Sequence, residues 1–123
     1  MSSGKPRKQR KMRYTASMHT MQKFAHARIA KELAAKLGIK KRNIQARKGD
    51  TVKIMSGSFK GKTGKVTKVS LKQGKMLIEG ISRKNAKGKE HAIAINISNV
   101  YLIDLDLSDK LRKAKIDQFK GAV

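Results

Sequence analysis

The sequence predicts a mainly β protein: about five short strands forming a small barrel, with a helical N-terminal extension, a basic N-terminal arm and a short C-terminal helix. Three observations lead there. Alternating apolar runs begin after Gly49 and recur as far as Ile103, separated by turn residues at a spacing of about eight to twelve. The 123 residues are 38% apolar and 4% aromatic, which allows one modest core and leaves the rest of the chain as appendages. Before Gly49 the apolar residues fall at helical spacing instead.

The arm, residues 1–14, holds the only proline, Pro6, and sets cations among small or polar residues. It has almost nothing to bury, so it is expected to be disordered until a partner orders it. Residues 15–47 form the extension. A stripe of Met18, Met21, Ala25, Ile29, Leu33 and Leu37 reads as helix over residues 15–37, with Gly38 as its C-terminal stop. One long helix and two pieces broken between Phe24 and Arg28 both fit that stripe.

Residues 48–104 carry the barrel. Gly49 and Asp50 make a turn, and residues 51–55 alternate, with Val52 and Ile54 on one face and Thr51 and Lys53 on the other. The next six residues set Gly57 and Gly61 around Phe59 and Lys60, a composition that suits positive φ angles or backbone lying close to a ligand. Gly64 opens a strand over residues 65–71. Its Val66, Val69 and Leu71 change parity midway, so a bulge is expected near Thr67 and Lys68. Residues 75–79 and 91–97 follow as strands; Ile93, Ile95 and Ile97 give the second the cleanest alternation in the chain. Between them, residues 82–89 are a cationic hairpin tip turned by Asn85 and Gly88, and residues 100–103 supply the closing strand. Five such strands suggest an SH3-like barrel. In the tail, residues 105–123, Ser108 is expected to cap a short helix with Asp109 in its first turn.

The formal net charge of +23 is unevenly spread. Residues 1–48 carry 15 basic side chains against 1 acidic, residues 49–97 carry 11 against 3, and residues 98–123 carry 5 against 4. Cations so concentrated repel one another in a compact fold unless a polyanion offsets them. The front and middle are therefore expected to face a polyanion, and the tail to pack on the barrel or on a protein neighbour. Candidate phosphate contacts are Lys5, Arg7, Lys8, Arg10, Lys11 and Arg13 in the arm, Lys60, Lys62 and Lys65 around the glycine loop, and Arg83 and Lys84 in the hairpin. Phe59 is the one aromatic placed for a base or sugar to pack on, or else to serve as a lid on the barrel. Several projecting basic elements suit structured RNA better than duplex DNA, for which the chain has no major-groove helix or zinc-finger pattern.

Other classes are excluded by composition. No run of eighteen apolar residues exists, so no membrane span is expected, and the basic start lacks the apolar stretch of a secretory signal. The absence of cysteine rules out disulfides and Cys-based zinc sites and fits a reducing cytosol. His19 and His26 have no third ligand near them, so no metal or other cofactor is expected. The densest acids, Asp104 and Asp106, also lack a third partner; neither catalysis nor a small-molecule substrate is expected.

The run Gly49-Asp50-x-Val52-x-Ile54-x-x-Gly57-x-x-Lys60-Gly61-x-x-Gly64-x-Val66 resembles the KOW motif of ribosomal proteins and transcription elongation factors. With the basic start, the helical extension and the ending over residues 97–115, nearly the whole chain resembles the large-subunit ribosomal protein L-twenty-four family, in its archaeal and eukaryotic branch, called L-twenty-six in eukaryotes. That resemblance implies an SH3-like barrel with Gly57, Gly61 and Gly64 as its structural glycines, and favours two short helical pieces in the extension. It also implies a structural constituent of the cytoplasmic large subunit that binds the 5′ region of the large-subunit rRNA, aids assembly and lies near the peptide tunnel exit. The implied partners are that rRNA and neighbouring large-subunit proteins, with tunnel-exit factors as further candidates. The alternative is a KOW module of the transcription elongation type, which grips RNA polymerase. That type typically pairs the motif with a larger preceding domain, which is not expected here.

Overall fold

In the computed structural model, which describes residues 3–120, the elements run α1 (Pro6–Thr15), α2 (Met18–Phe24), β1 (His26–Ile29), α3 (Lys31–Leu37), β2 (Asn43–Gln45), β3 (Thr51–Ile54), β4 (Thr63–Ser70), β5 (Lys75–Lys84), β6 (Glu90–Asn96), β7 (Val100–Asp104) and α4 (Lys110–Lys120). One turn of 3-10 helix, Ile97–Asn99, joins β6 to β7. The first two residues of the expected arm and the last three of the expected tail lie outside the described residues.

All five strands expected after Gly49 form, as β3 to β7. Val52 and Ile54 are buried on the inner face of β3, as their alternation requires. The parity change in β4 becomes a register shift between Val66 and Lys68 against β5, where the bulge was expected. Two further strands come from the extension, so the sheet has seven, in the order β2-β1-β7-β3-β4-β5-β6. This corrects the five-strand expectation. Closure is corrected with it: β7 pairs on one side with β3 and on the other, in parallel, with β1. With that edge taken by β1, the sheet stays open, bounded by β2 and β6.

The extension breaks where two pieces were expected, and the break is itself a strand. Ala25, Ile29 and Leu33 lie four apart and satisfy a helical stripe, yet Ala27 and Ile29 are buried as alternate residues of β1. Pairing with β2 and β7 therefore overrides the helical period. Met18, counted in the stripe, is 63% exposed at the start of α2. Gly38 does terminate α3: at φ 66° its N–H reaches the carbonyls of Ala34 and Ala35.

The arm also departs from expectation, for α1 is a helix with no buried residue. Pro6 stands in its first turn, where a fixed φ is pre-set for helix, and the residues that follow are mostly Arg, Lys, Gln and Met, all good helix formers. Its C-terminal end is fastened by Arg13, whose guanidinium stacks over Phe24 at 5.6 Å and reaches Gly74, where an added Cβ would meet Nη2 at 2.8 Å.

The core is one cluster. Val52, Ile54, Val66, Met76, Ile78, Ile97, Val100 and Leu102 from the expected strands join Ala25, Ala27, Ile29 and Leu33 from the extension and Ile116 from α4. Full burial of such side chains contributes about 1.5–3 kcal/mol each for the larger ones. The C-terminal helix is thus part of the fold rather than an appendage. It is capped by Asp109, whose Oδ1 accepts from the Leu111 N–H at 3.0 Å, and not by Ser108 as expected. The Ser108 N–H is itself turned to Asp106 Oδ1 at 3.1 Å, one residue too early to start the helix.

Gly64 needs its missing side chain for space, not for a left-handed φ. It pairs with Val52, and a Cβ there would stand 2.6 Å from both the Glu79 carbonyl oxygen and Ile78 Cγ2. Because the first of these is backbone, the sheet itself must shift to admit any side chain. Gly64→Val should therefore lower stability by about 1–3 kcal/mol or more, read as the urea midpoint at constant slope. An unchanged midpoint would mean that β4 and β5 separate freely.

Candidate nucleic-acid interface

The loop between β3 and β4 is shaped by two left-handed glycines, Gly57 at φ 99° and Gly61 at φ 87°, both in the range that L side chains avoid. The Gly61 N–H closes it on the Ile54 carbonyl at 2.8 Å, and the Lys60 and Lys62 N–H groups bond to Gly57 and Phe59 within it. Tethered this way, the loop projects Lys60 and Lys62 into solvent while Phe59 turns half inward and packs on the core. Lys62 Nζ stands 5.1 Å over the Phe59 ring, a cation–π contact. Lys65 is exposed on β4, opposite Thr51.

Across from this loop, Arg83 lies near the end of β5 and lines the same cleft as Ser56, Gly57, Ser58 and Phe59. The fold thus brings together the glycine loop and the hairpin, which the sequence left as two separate fingers. Beyond Arg83 the hairpin turns through Asn85, whose N–H bonds to the Lys89 carbonyl, and Gly88 at φ 82°. Lys84 is paired with Glu90 at 3.9 Å across the hairpin, an exposed and weak contact. Lys5, which precedes α1, and Arg7, Lys8 and Lys11 on it surround one hollow. Arg10 is exposed on the same helix, and Arg13 is drawn back against Phe24 and Gly74.

A further cationic cluster went unnoticed in the sequence. His26 on β1 sits in a groove with Lys41 and Lys115, the latter on α4. Burial first, and then Lys41, Lys115 and Lys23, hold the His26 imidazole below its ordinary pKa. No local signal joins residues so far apart in the chain.

Also missed is the pair that holds α4 to this face. Arg112, 6% exposed, donates both terminal nitrogens to Asp50, 0% exposed: Nη1 to Oδ1 at 2.6 Å and Nη2 to Oδ2 at 2.7 Å. Nη1 also reaches the Asp106 carbonyl and Nη2 the Gln45 carbonyl. The Asp50 oxygens accept in addition from the backbone N–H groups of Arg47 and Asp106. Both carboxylate oxygens and both terminal nitrogens are thereby fully bonded, the condition under which a buried ion pair is tolerated. Nearby on the surface, Arg47 bonds Asp109 at 2.7 Å, which with the Leu111 N–H keeps the Asp109 carboxyl below the usual carboxylate range.

Among the described residues no group of three or more His, Asp or Glu side chains could hold a metal ion. No helix among the described residues is long and apolar enough to cross a membrane.

Fold and charge together define a small cationic β protein built around a KOW-type glycine and lysine loop. Residues 3–118 match the family model that describes ribosomal proteins L26 of eukaryotes and L24 of archaea, and the chain belongs to that family. It is 44% identical over 119 residues to the large ribosomal subunit protein uL24 of Pyrobaculum islandicum, covering 97% of this chain and 95% of that protein. It is 43% identical over 120 residues to uL24 of Saccharolobus solfataricus, covering 98% and 99%. Against uL24 of Methanocella arvoryzae the identity is 41% over 118 residues, covering 96% and 94%.

Proposed function

We propose that this chain is a structural, non-catalytic constituent of the large ribosomal subunit, in the cytoplasm, which binds the 5′ region of the large-subunit rRNA, aids assembly and lies near the peptide tunnel exit. The observation that carries this is a match to a ribosomal family over almost the whole chain, in a protein whose cations stand on separate projecting elements. The mechanism is electrostatic clamping: α1 meets one stretch of phosphate backbone, and the Lys60 and Lys62 loop together with the Arg83 hairpin meets another. Neutralising phosphates releases their condensed counterions, which supplies most of the affinity without reading sequence. The strands β3 to β7 correspond in this reading to those of the family's SH3-like barrel, with β1 and β2 added along β7. Neighbouring ribosomal proteins, and factors at the tunnel exit, are its protein partners.

Cosedimentation of the tagged chain with large subunits through a high-salt cushion tests the assignment. Recovery only in a ribosome-free pool bound to RNA polymerase would instead establish the transcription reading.

Two variants test the clamp. Removing residues 1–12 should leave cooperative unfolding intact, since α1 buries nothing, while lowering the salt dependence of rRNA binding by about one unit of slope for each phosphate that α1 had neutralised. Lys60→Glu with Lys62→Glu should likewise spare the melt and lower the slope by about two. Unchanged filter-binding curves for both would remove α1 and the loop from the interface.

A further inference from the structure

We propose that the cleft between the glycine loop and β6 receives one unpaired nucleotide of the bound RNA, its base lying against Phe59 and its edge read by Asn96 and Asn99. This rests on the RNA-binding reading above and adds to it an element that selects structure rather than charge.

The cleft measures about 200 Å³, room for a planar ring system. Its walls are apolar where a base face would lie. Phe59 forms one part, half-buried and backed by the core; Ile93 and Ile95, alternate residues of the edge strand β6, form another. Asn96 ends β6 and Asn99 ends the 3-10 turn after it, and their side-chain amides make no hydrogen bond among the described residues. Asn99 is nevertheless held in place, because its carbonyl accepts from the Met55 N–H at 2.8 Å. Two amides with free donors and acceptors beside an aromatic wall can pair with the polar edge of a base.

Arg83 completes the set. Its exposed guanidinium lines the same cleft and has no ion-pair partner among the described residues, so it is free for the phosphate of the inserted nucleotide. Lys62 lies outside the cleft lining, its Nζ 5.1 Å from the Phe59 ring centre, so a base on that ring face takes the place of the ammonium. A phosphate alone would make no use of the apolar wall of Phe59, Ile93 and Ile95, and a paired base has its Watson–Crick edge already engaged. An extruded or bulged nucleotide uses the face, the edge and the charge at once, as single-stranded RNA sites do.

The test uses the full chain bound to an in vitro transcript of the large-subunit rRNA, with two kinds of footprint. Base-edge reagents, dimethyl sulfate and a carbodiimide, report the inserted base; hydroxyl radicals report the backbone. The wild-type protein should shield the edge of at least one unpaired base. Phe59→Leu, and separately Asn96→Ala with Asn99→Ala, should lose that shielding and bind about tenfold more weakly, while the backbone footprint persists. The asparagine pair keeps the test valid if Phe59→Leu disturbs the loop. Base-edge protections identical to wild type in both variants would overturn the nucleotide site and leave RNA binding standing. Absence of any wild-type backbone footprint would instead overturn RNA binding itself, and this site with it.

Discussion

Replacing Arg112 by methionine should destabilise the protein by about 3–5 kcal/mol, the usual cost of leaving one partner of a buried ion pair without the other. The stem of methionine can follow the same path, so the change in packing is small; what remains is the Asp50 carboxylate, fully enclosed, with only the Arg47 and Asp106 N–H groups for company. Water must then enter, or α4 must leave. Either outcome uncovers Ile116 and opens the groove beside β2. Chemical denaturation is the measurement, and a loss below about 1 kcal/mol would show that the pair is dispensable. A cycle with Asp50→Asn separates the two contributions, because the asparagine oxygen still accepts a backbone bond without the charge. If the pair acts as a unit, the double variant should be less damaged than the sum of the two single variants.

The second large effect is on affinity. All eleven cations proposed to meet phosphate are exposed, although Arg13 stacks on Phe24, Lys62 on Phe59, and Lys84 pairs weakly with Glu90. If roughly six to ten phosphates are neutralised, raising salt from 50 to 200 mM should weaken rRNA binding by about a thousandfold or more. Filter binding across that range gives the slope. A flat response would mean that affinity comes from base contacts and shape, with the cations serving solubility alone.

Where a strand in this chain alternates between core and solvent, its sequence was enough to place it: Val52 and Ile54 in β3, or Ile93 and Ile95 in β6, could not be slipped by one residue without turning the apolar face outward. The parity change at Thr67 and Lys68 was equally visible, because a bulge is a local event. What could not be seen was anything decided by pairing at a distance. The β1 segment is four residues long, and its apolar residues satisfy a helix as well as a strand; only its neighbours β2 and β7 decide between them. The open sheet follows from the same choice. For the interface, residue type sufficed to nominate the cations, but proximity did not follow from type. Arg83 meeting the glycine loop, Asn96 and Asn99 lining one cleft with Phe59, and Arg112 reaching Asp50 are all products of the tertiary fold. Asp109 rather than Ser108 as the helix cap is a smaller lesson, since both residue types are competent and the choice depends on where the chain leaves Asp106.

The parallel pairing of β1 with β7 also imposes an order of events on a chain growing from its N-terminus. Arg28 finds Tyr101, and Ile29 finds Leu102, only about seventy residues later, so one flank of β1 has no partner until synthesis is nearly complete. Such a distant pairing makes the last strand the latch of the whole sheet, and a chain halted before it would offer a bare strand edge to its neighbours. The cationic stretch at the front buries nothing, and its charges are present from the start whether or not Arg13 has yet found Phe24 and Gly74. A polyanion met early could therefore hold that end while the sheet behind it waits for its final strand.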